Sequence, residues 1–506
     1  MKNTGFLGID AGTQGLSVVF VDQRLKVLAH GEHGYDFVPG LDVGCYEQAP
    51  ADWWDALRGA MAQVRAALAD SEMEVLAIGI SGQMHGEVLS DAKNNVLGPA
   101  RLWCDSRNDV EGEELTDLFN VKIPKRMTVA RWLWTIRQRK EIASKVARIT
   151  TPAGWLAYQL TGEWNLGVGD AAGMFPIDQQ TLDFDQRLLD RWNEHFEIQH
   201  VSPLQLLLPR VRRAGEVAGR LSTAAANQLG LQPGIPCAPA EGDQPAALAG
   251  SLIGDAGTVG ISFGTSVCAN SVGDRPFRGV DKAVDHFCAV DGKPINMVWL
   301  RNGTTFMNAV IAMFGKLDTQ RADTFRLVMP QLLAAAPDCG GILALPFMDD
   351  EPGLGVAQGG TAMLFGLNSN NATPGNVAKA ALLATMFNLR WGSEVLDAQN
   401  FPRQELVLTG GITKTPELGQ ILADVFQTKT RLLEAADEGT AWGATVLAAY
   451  TYRVLSGDQT DWSDFLRALR PDNAINFTPI PANVETYNAV YKRYKALVSS
   501  TSATQM

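Results

Sequence analysis

FLGIDAGTQG, residues 6–15, decides the fold. An apolar run ends in Asp10, a glycine-bounded turn follows with Thr13 at its tip, and LSVVFVD (16–22) then begins a second strand. KVLAHGEH (26–33) reads as a third strand, after the turn residues Asp22-Gln23-Arg24. Short glycine-rich turns after a strand often cradle phosphate. This one has neither the lysine of a P-loop nor the G-x-G-x-x-G spacing of a dinucleotide site. It also leads into a strand where a Rossmann unit would place a helix, so the meander excludes that fold.

Working outward, ADWWDALRGAMAQVRAAL (51–68) has helical spacing with Pro50 or Asp52 at its start, and VLAIGISG (75–82) returns as a buried strand. The alternation predicts an α/β arrangement with a mixed sheet. The same grammar recurs in GTVGISFGTSVCANSVG (257–273), again strand, Gly-Thr turn, strand. VLTGGIT (407–413) predicts a strand running into a double glycine, then a helix over PELGQILADVFQ (416–427). EGTAWGATVLAAY (438–450) reads as a helix rich in small residues. Two such hairpins, one per half, imply a duplicated architecture, divided between residues 247 and 248. The tail TSATQM is expected to be disordered.

With 506 residues the chain is long enough for two or more domains, and 46% hydrophobic against 19% charged residues fits large cores. A net charge of −12 argues against nucleic acid as a partner, since such binders need basic faces. The six cysteines form no C-x-x-C pair, which predicts reduced thiols and a cytoplasmic location. The first strand is too short and lacks the basic flank for a signal peptide, and no apolar stretch approaches a membrane span.

GIDAGTQG, ISGQMHG (80–86), LWCDSRN (102–108), GDQPAALAG (242–250), ISFGTS (261–266), TGGIT (409–413) and GTAWGA (439–444) together resemble the FGGY family of carbohydrate kinases, most closely its xylulose kinases. The resemblance runs from residue 6 to about 450. It implies two RNase H-like (actin-like ATPase) α/β domains with mixed five-stranded sheets flanking a central cleft. Residues 1–247 would bind sugar and 248–506 nucleotide. Arg131 stands where one family signature has lysine, Leu383 where another has an acidic residue, and Ile412 and Thr415 where the xylulose kinases have glycine and serine or asparagine.

Asp10, read alone, is either a turn cap or an anion that holds hydrated Mg²⁺ beside a phosphate turn; the resemblance selects the second. Gly12, Thr13 and Gln14 would then meet phosphate from one side, and Gly264, Thr265 and Ser266 from the other. Gly410, Gly411 and Thr415 fall in the adenosine segment. Asp243, entered from a glycine turn, has the sequence context of a helix N-cap. The resemblance makes it the base that accepts the proton of the sugar hydroxyl, ionised at neutral pH with an ordinary pKa near ~4. Gln83, Met84 and His85 occupy the stretch with which xylulose kinases contact an open-chain ketose; glycerol kinases of the family carry a different motif there. Trp103, Asp105 and Arg107 read either as a surface Asp–Arg pair or, through the resemblance, as a segment near the sugar, with Asp105 as the contact. Trp53-Trp54 and the stripe Tyr487, Tyr491, Tyr494 read as core packing.

The implied activity is ATP-dependent phosphorylation of a ketopentose, D-xylulose at O5, with ATP and Mg²⁺. The alternatives are another ketose or a sugar alcohol, L-xylulose and ribulose among them, or an actin- or Hsp70-like nucleotide switch. Expected partners are a small-molecule sugar and ATP, no nucleic acid, no membrane, and as one option a second copy of the chain.

Overall fold

The computed structural model describes residues 2–68, 72–196, 200–315, 321–432, 439–471 and 474–504. The strand β1 (Lys2–Ala11) pairs antiparallel with β2 (Gly15–Asp22), and β2 with β3 (Val27–Gly34). Helix α1 (Pro50–Ala67) starts on a proline, which needs no amide partner there, and buries Trp53, Leu57, Ala60 and Val64. It leads to β4 (Glu72–Gly82), parallel to β1. Helix α2 (Val168–Met174) lies entirely inside the protein. The sheet is completed by three two-residue strands, β5 (Gly219–Arg220), β6 (Pro236–Cys237) and β7 (Glu241–Gly242). Helix α3 (Asp243–Gly250) follows at once.

The second half repeats this plan with β8 (Thr258–Phe263), β9 (Val267–Val272), β10 (Val284–Cys288) and β11 (Pro294–Leu300). After helix α4 (Pro374–Ala398) come β12 (Glu405–Gly410), α5 (Leu418–Phe426), β13 (Thr430–Leu432), α6 (Gly439–Leu455), β14 (Ile475–Phe477) and α7 (Pro481–Thr504). Five strands run in the same order in both sheets, β3-β2-β1-β4-β6 and β11-β9-β8-β12-β13. In each sheet the first three of these are antiparallel neighbours and the last three parallel. The duplication read from the two hairpins is thus a duplication of topology. Each sheet has seven strands rather than the expected five, because short strands extend or cap the edges.

Helix α6 belongs by sequence to the second half but lies on the first sheet. A Cβ on Gly8 would fall 2.1 Å from the Ala441 carbonyl oxygen, and one on Gly79 would fall 1.8 Å from that of Ala444. Only glycine allows so close an approach. α6 also crosses α3, where a Cβ on Gly443 would meet the Ala246 oxygen at 2.0 Å. The small-residue helix read in the sequence therefore joins the two halves. Phe6, Val19, Ala77, Val446, Tyr450 and Trp462 share one apolar cluster across this junction.

Trp53 is fully buried, and Tyr487, Tyr491 and Tyr494 of α7 are buried in the second core. The expectation of a disordered tail is corrected: α7 continues through Thr504, with the Thr501 hydroxyl bonded back to the Leu497 carbonyl at 3.0 Å. Gln505 and Met506 lie outside the described residues.

Candidate active site

In open α/β sheets ligands bind at the carboxyl ends of the strands. Here β1, β4 and β7 end side by side, with Asp10 opposite Ser81 and Ala11 opposite Gly82, while Ser81 and Gly82 face Glu241 and Gly242. This register brings Asp10, the segment Gln83–His85 and Asp243 to one edge of the first sheet. In the second sheet Phe263 pairs with Gly410, so the Gly264–Ser266 turn and the double glycine leave adjacent strand ends.

Asp10 accepts hydrogen bonds from the Ser81 hydroxyl at 2.6 Å and from the Thr440 hydroxyl at the start of α6. Loss of water raises its pKa, and those two hydroxyls pull it back down. Behind the turn, Tyr35 donates its hydroxyl to the carbonyls of Gly12 (2.5 Å) and Gly15 (3.1 Å), and the Gln48 amide donates to that of Thr13 (2.7 Å). Trp103 donates its indole N–H to the Thr13 hydroxyl at 3.0 Å. Gln14 is exposed. Tyr35 and Gln48 were invisible in the sequence as site residues, since neither sits in a motif that announces chemistry, and Thr440 lies in GTAWGA, which read only as part of a helix rich in small residues.

Asp243 is the first residue of α3, and Gly242 is its N-cap, so the aspartate is not the cap the sequence suggested. The amides of Gln244 and Met84 favour its charged form, but desolvation, with the Asp10 charge second, pushes its pKa up to about 7. The expected ordinary value near ~4 is thereby corrected, because a carboxylate withdrawn from water and facing another anion holds its proton longer. Two further buried acids stand close by. Glu241 accepts the Asp170 amide at 2.9 Å, at the N-terminal end of α2, where a carboxylate satisfies otherwise unpaired amides. Asp170 accepts the Thr151 hydroxyl at 2.5 Å, and burial pushes its pKa up to about 7.

His85 has a left-handed backbone, φ 66°, which turns its ring toward Gly173. Its Nδ1 lies 3.0 Å from the Gly173 carbonyl oxygen, and a carbonyl only accepts, so Nδ1 carries the hydrogen. Desolvation and the Arg126 charge push the ring's pKa down to about 3, which leaves a neutral imidazole whose Nε2 is an acceptor. Gln83 is fully buried and donates to Gln48 at 2.9 Å and Gly12 at 3.5 Å, behind the phosphate-type turn. Asp105 is likewise buried, not a surface partner of Arg107: its carboxylate accepts Arg107 Nε at 3.0 Å and the Tyr46 amide at 2.9 Å. Arg107 reaches on to Glu47 at 2.6 Å.

Met84, His85, Trp103, Asp243, Gly264 and Ser266 line one cleft of about 560 Å³. Thr265 is exposed at the tip of its turn. The turn rests on the loop Arg301–Thr305, with the Thr304 hydroxyl and the Gly303 amide donating to the carbonyls of Gly264 (2.9 Å) and Thr265 (3.0 Å). Gly411 opens a 3-10 turn through Lys414, with Thr415 next in the chain; neither is among the residues lining the cleft. Arg126, also on the cleft wall, pairs with Asp285 of the second half. The departures at Arg131 and Leu383 have local explanations. Arg131 is fully buried and holds main chain, donating to the carbonyls of Leu102 and Lys125 at 2.9 Å. Leu383 is buried in the core on α4. The side chain of Ile412 lies outside the described residues.

Residues 6–250 match the N-terminal domain of the FGGY family of carbohydrate kinases, and residues 259–452 match its C-terminal domain. The chain belongs to this family. Among curated members of the FGGY family it is 27% identical to a xylulose kinase of Escherichia coli, over 88% of this chain and 89% of that one. It is 26% identical to a xylulose kinase of Klebsiella pneumoniae, over 98% and 100%. The fold superimposes on a xylulose kinase from Rhodospirillum rubrum with a TM-score of 0.83 at 22% identity, covering 98% of both chains. It superimposes on a Plasmodium falciparum glycerol kinase solved with ADP with a TM-score of 0.81 at 20% identity, covering 97% of both. The protein is therefore a carbohydrate kinase with the actin-like ATPase architecture.

Proposed function

We propose that this FGGY kinase transfers the γ-phosphoryl group of ATP to O5 of D-xylulose, giving D-xylulose 5-phosphate and ADP. The observation that carries the reading is the convergence of Met84, His85 and Asp243 of the first half with Gly264 and Ser266 of the second on the lining of one cleft, in a chain whose full-length relatives include xylulose kinases. In this reading neutral His85 accepts a sugar hydroxyl at Nε2. The Asp243 carboxylate takes the O5 proton as the oxygen–phosphorus bond forms and the bond to the β–γ bridging oxygen breaks. Thr13 with Gly12 and Gln14, and Thr265 with Gly264 and Ser266, cradle the phosphates from two sides. Gly410, Gly411 and Thr415 sit on the adenosine side. Gln83 and Asp105, being buried, hold the turn and the loop in place.

Asp10 fits Mg²⁺. It is a hard oxygen donor whose oxygens each keep a lone pair beyond the Ser81 and Thr440 bonds. Among the described residues no cluster of three or more His, Cys, Asp or Glu could hold a metal, which suits an ion bound through water to one carboxylate. When bound, Mg²⁺ neutralises charge on the transferring phosphate. We also assign the chain to the cytoplasm, with the division between its two domains at residues 247 and 248. All six cysteines are free, and among the described residues no helix is long and apolar enough to cross a membrane.

The test is a panel of pentuloses and sugar alcohols with coupled ADP detection. Preference for D-xylulose in kcat/KM is expected. Equal turnover of D-xylulose, L-xylulose and ribulose would overturn the substrate, and ATP turnover indifferent to every sugar would overturn the kinase reading.

A further inference from the structure

Two groups on the sugar side of the cleft can only take hydrogens. The Asp243 carboxylate accepts, and neutral His85 accepts at Nε2. An open-chain ketose brings hydroxyls that can donate to both, but its carbonyl oxygen only accepts. Unless the cleft supplies a donor, that oxygen is stripped of water with nothing in return, which is costly.

Lys125, Arg126 and Arg301 line the cleft. Lys125 pairs with Asp109 at 2.7 Å and Arg301 with Asp350, each pair lying within one half of the chain. Arg126 crosses between the halves, donating from Nη2 to the Asp285 carboxylate on β10. Lys122 faces the same carboxylate at 3.5 Å, so Asp285 is held by two cations of the first half. The Arg126 charge acts on both sugar-side acceptors: it helps to keep His85 neutral and favours the ionised form of Asp243.

Asp285 occupies only part of the guanidinium. The group carries five N–H donors in a rigid fork, and among the described residues Asp285 is its one hydrogen-bond partner, through one nitrogen. Nε and Nη1 have no partner, and neither is sealed from solvent. Two neutral donors stand nearby. Trp103 spends its indole N–H on Thr13. Gln244, whose side-chain oxygen accepts from Asn270 at 3.1 Å, keeps its amide hydrogens, but a bond from a charged donor is roughly twice as strong as one from a neutral donor.

We infer that Arg126 is a specificity-determining residue of the sugar cleft, its unclaimed N–H groups donating to the carbonyl oxygen of an open-chain ketose while Asp285 holds the fork in place. The inference rests on the pentulose kinase reading above and sets ketose apart from polyol. Without Arg126, a polyol hydroxyl at that carbon can turn and donate to an acceptor on the same lining. A carbonyl oxygen has no such alternative and stays unpaired.

The experiment is calorimetric titration of the full-length protein, without ATP, with D-xylulose, L-xylulose, ribulose and xylitol. The wild type is expected to bind D-xylulose more tightly than xylitol. Arg126→Met should weaken D-xylulose about tenfold or more, the scale of one hydrogen bond to a charged group, and xylitol less than about threefold. Arg126→Lys keeps the charge but loses the fork, so its D-xylulose affinity should fall between the two. Asp285 retains Lys122 in both variants. Equal weakening of D-xylulose and xylitol in a folded Arg126→Met protein would make Arg126 a strut between the halves and overturn the inference. D-xylulose binding unchanged by Arg126→Met would overturn it too, and leave the D-xylulose reading standing. If Arg126→Met does not fold, Arg126→Lys decides by the same comparison: selective loss of the ketose supports the role and equal loss overturns it. A wild type that prefers L-xylulose or ribulose, with that preference lost in Arg126→Met, would overturn D-xylulose as substrate and leave the role of Arg126 standing. A wild type that binds no ketose overturns both.

Discussion

Asp10 and Thr440 are 430 residues apart in the chain and joined by a hydrogen bond from the Thr440 hydroxyl to the Asp10 carboxylate. The contact ties the phosphate-side edge of the first sheet to the helix that spans both halves. Thr440→Val should lower kcat about tenfold while changing the KM for sugar little, since hydrogen bonds to charged groups contribute about 1.5–3 kcal/mol. Steady-state kinetics across a Mg²⁺ titration would check it; unchanged kcat at every Mg²⁺ concentration would remove Thr440 from the site.

Asp243 must be deprotonated to act as a base, and its pKa is pushed up to about 7. Activity should therefore rise with pH through about 7, where an unperturbed carboxylate would give a flat profile. Asp243→Asn should lower kcat by about 10²–10⁴. The stability effect has the opposite sign. Between the unfolded value near 3.8 and about 7 the folded protein binds the extra proton, so stability contributed by this group is lost as pH rises through that window. Asp243→Asn should thus be more stable than the wild type above pH ~7, by about 1–2 kcal/mol, a discount on the full shift at 1.36 kcal/mol per pH unit. Thermal unfolding at two pH values measures this.

His85, pushed down to about 3, stays neutral across the physiological range. Sugar KM should show no inflection near pH 6.5, and His85→Ala should raise it about tenfold or more through the loss of a buried acceptor. An inflection at the ordinary histidine value would place the ring in water instead.

Gly303 supports the second phosphate-type turn from beneath, and a Cβ there would fall 2.5 Å from backbone atoms of Thr265 and Ser266. Gly303→Ala should raise the KM for ATP about tenfold and leave the KM for sugar nearly unchanged, because the clash displaces only the nucleotide-side turn. Paired saturation curves for ATP and sugar discriminate this from a general loss of folding.

Arg131→Lys restores the family's residue but removes the fork that reaches the carbonyls of Leu102 and Lys125 together. Destabilisation of about 2 kcal/mol is expected, read from urea unfolding, with sugar KM rising as the 102–105 loop loosens. A variant as stable as the wild type would show that lysine spans the same carbonyls.

The strands and helices around FLGIDAGTQG were legible because their signals are local. Apolar alternation and glycine turns set β1 through β3, and the recurrence at ISFGTS announced the duplication. The local reading stopped short at the sheet edges: Gly219–Arg220 and Glu241–Gly242 are too short to carry a periodicity, and the resemblance implied only five strands where each sheet has seven. Met84, His85 and Asp243 stood in recognisable motifs. Tyr35, Gln48 and Asp170 act through partners brought by folding, and nothing in their own neighbourhoods named those partners.

By itself, then, the sequence determined the family, the doubled topology and the motifs that bring Met84, His85 and Asp243 to the cleft, since strand period, turn chemistry and motif spacing belong to short stretches of chain. The tertiary structure alone decided which acids lose water, that Gln83 and Asp105 are buried supports, that α6 belongs to both halves, and that Arg126 meets Asp285 across their seam. Those outcomes depend on desolvation and on contacts hundreds of residues apart, and both exist only once the two sheets have packed.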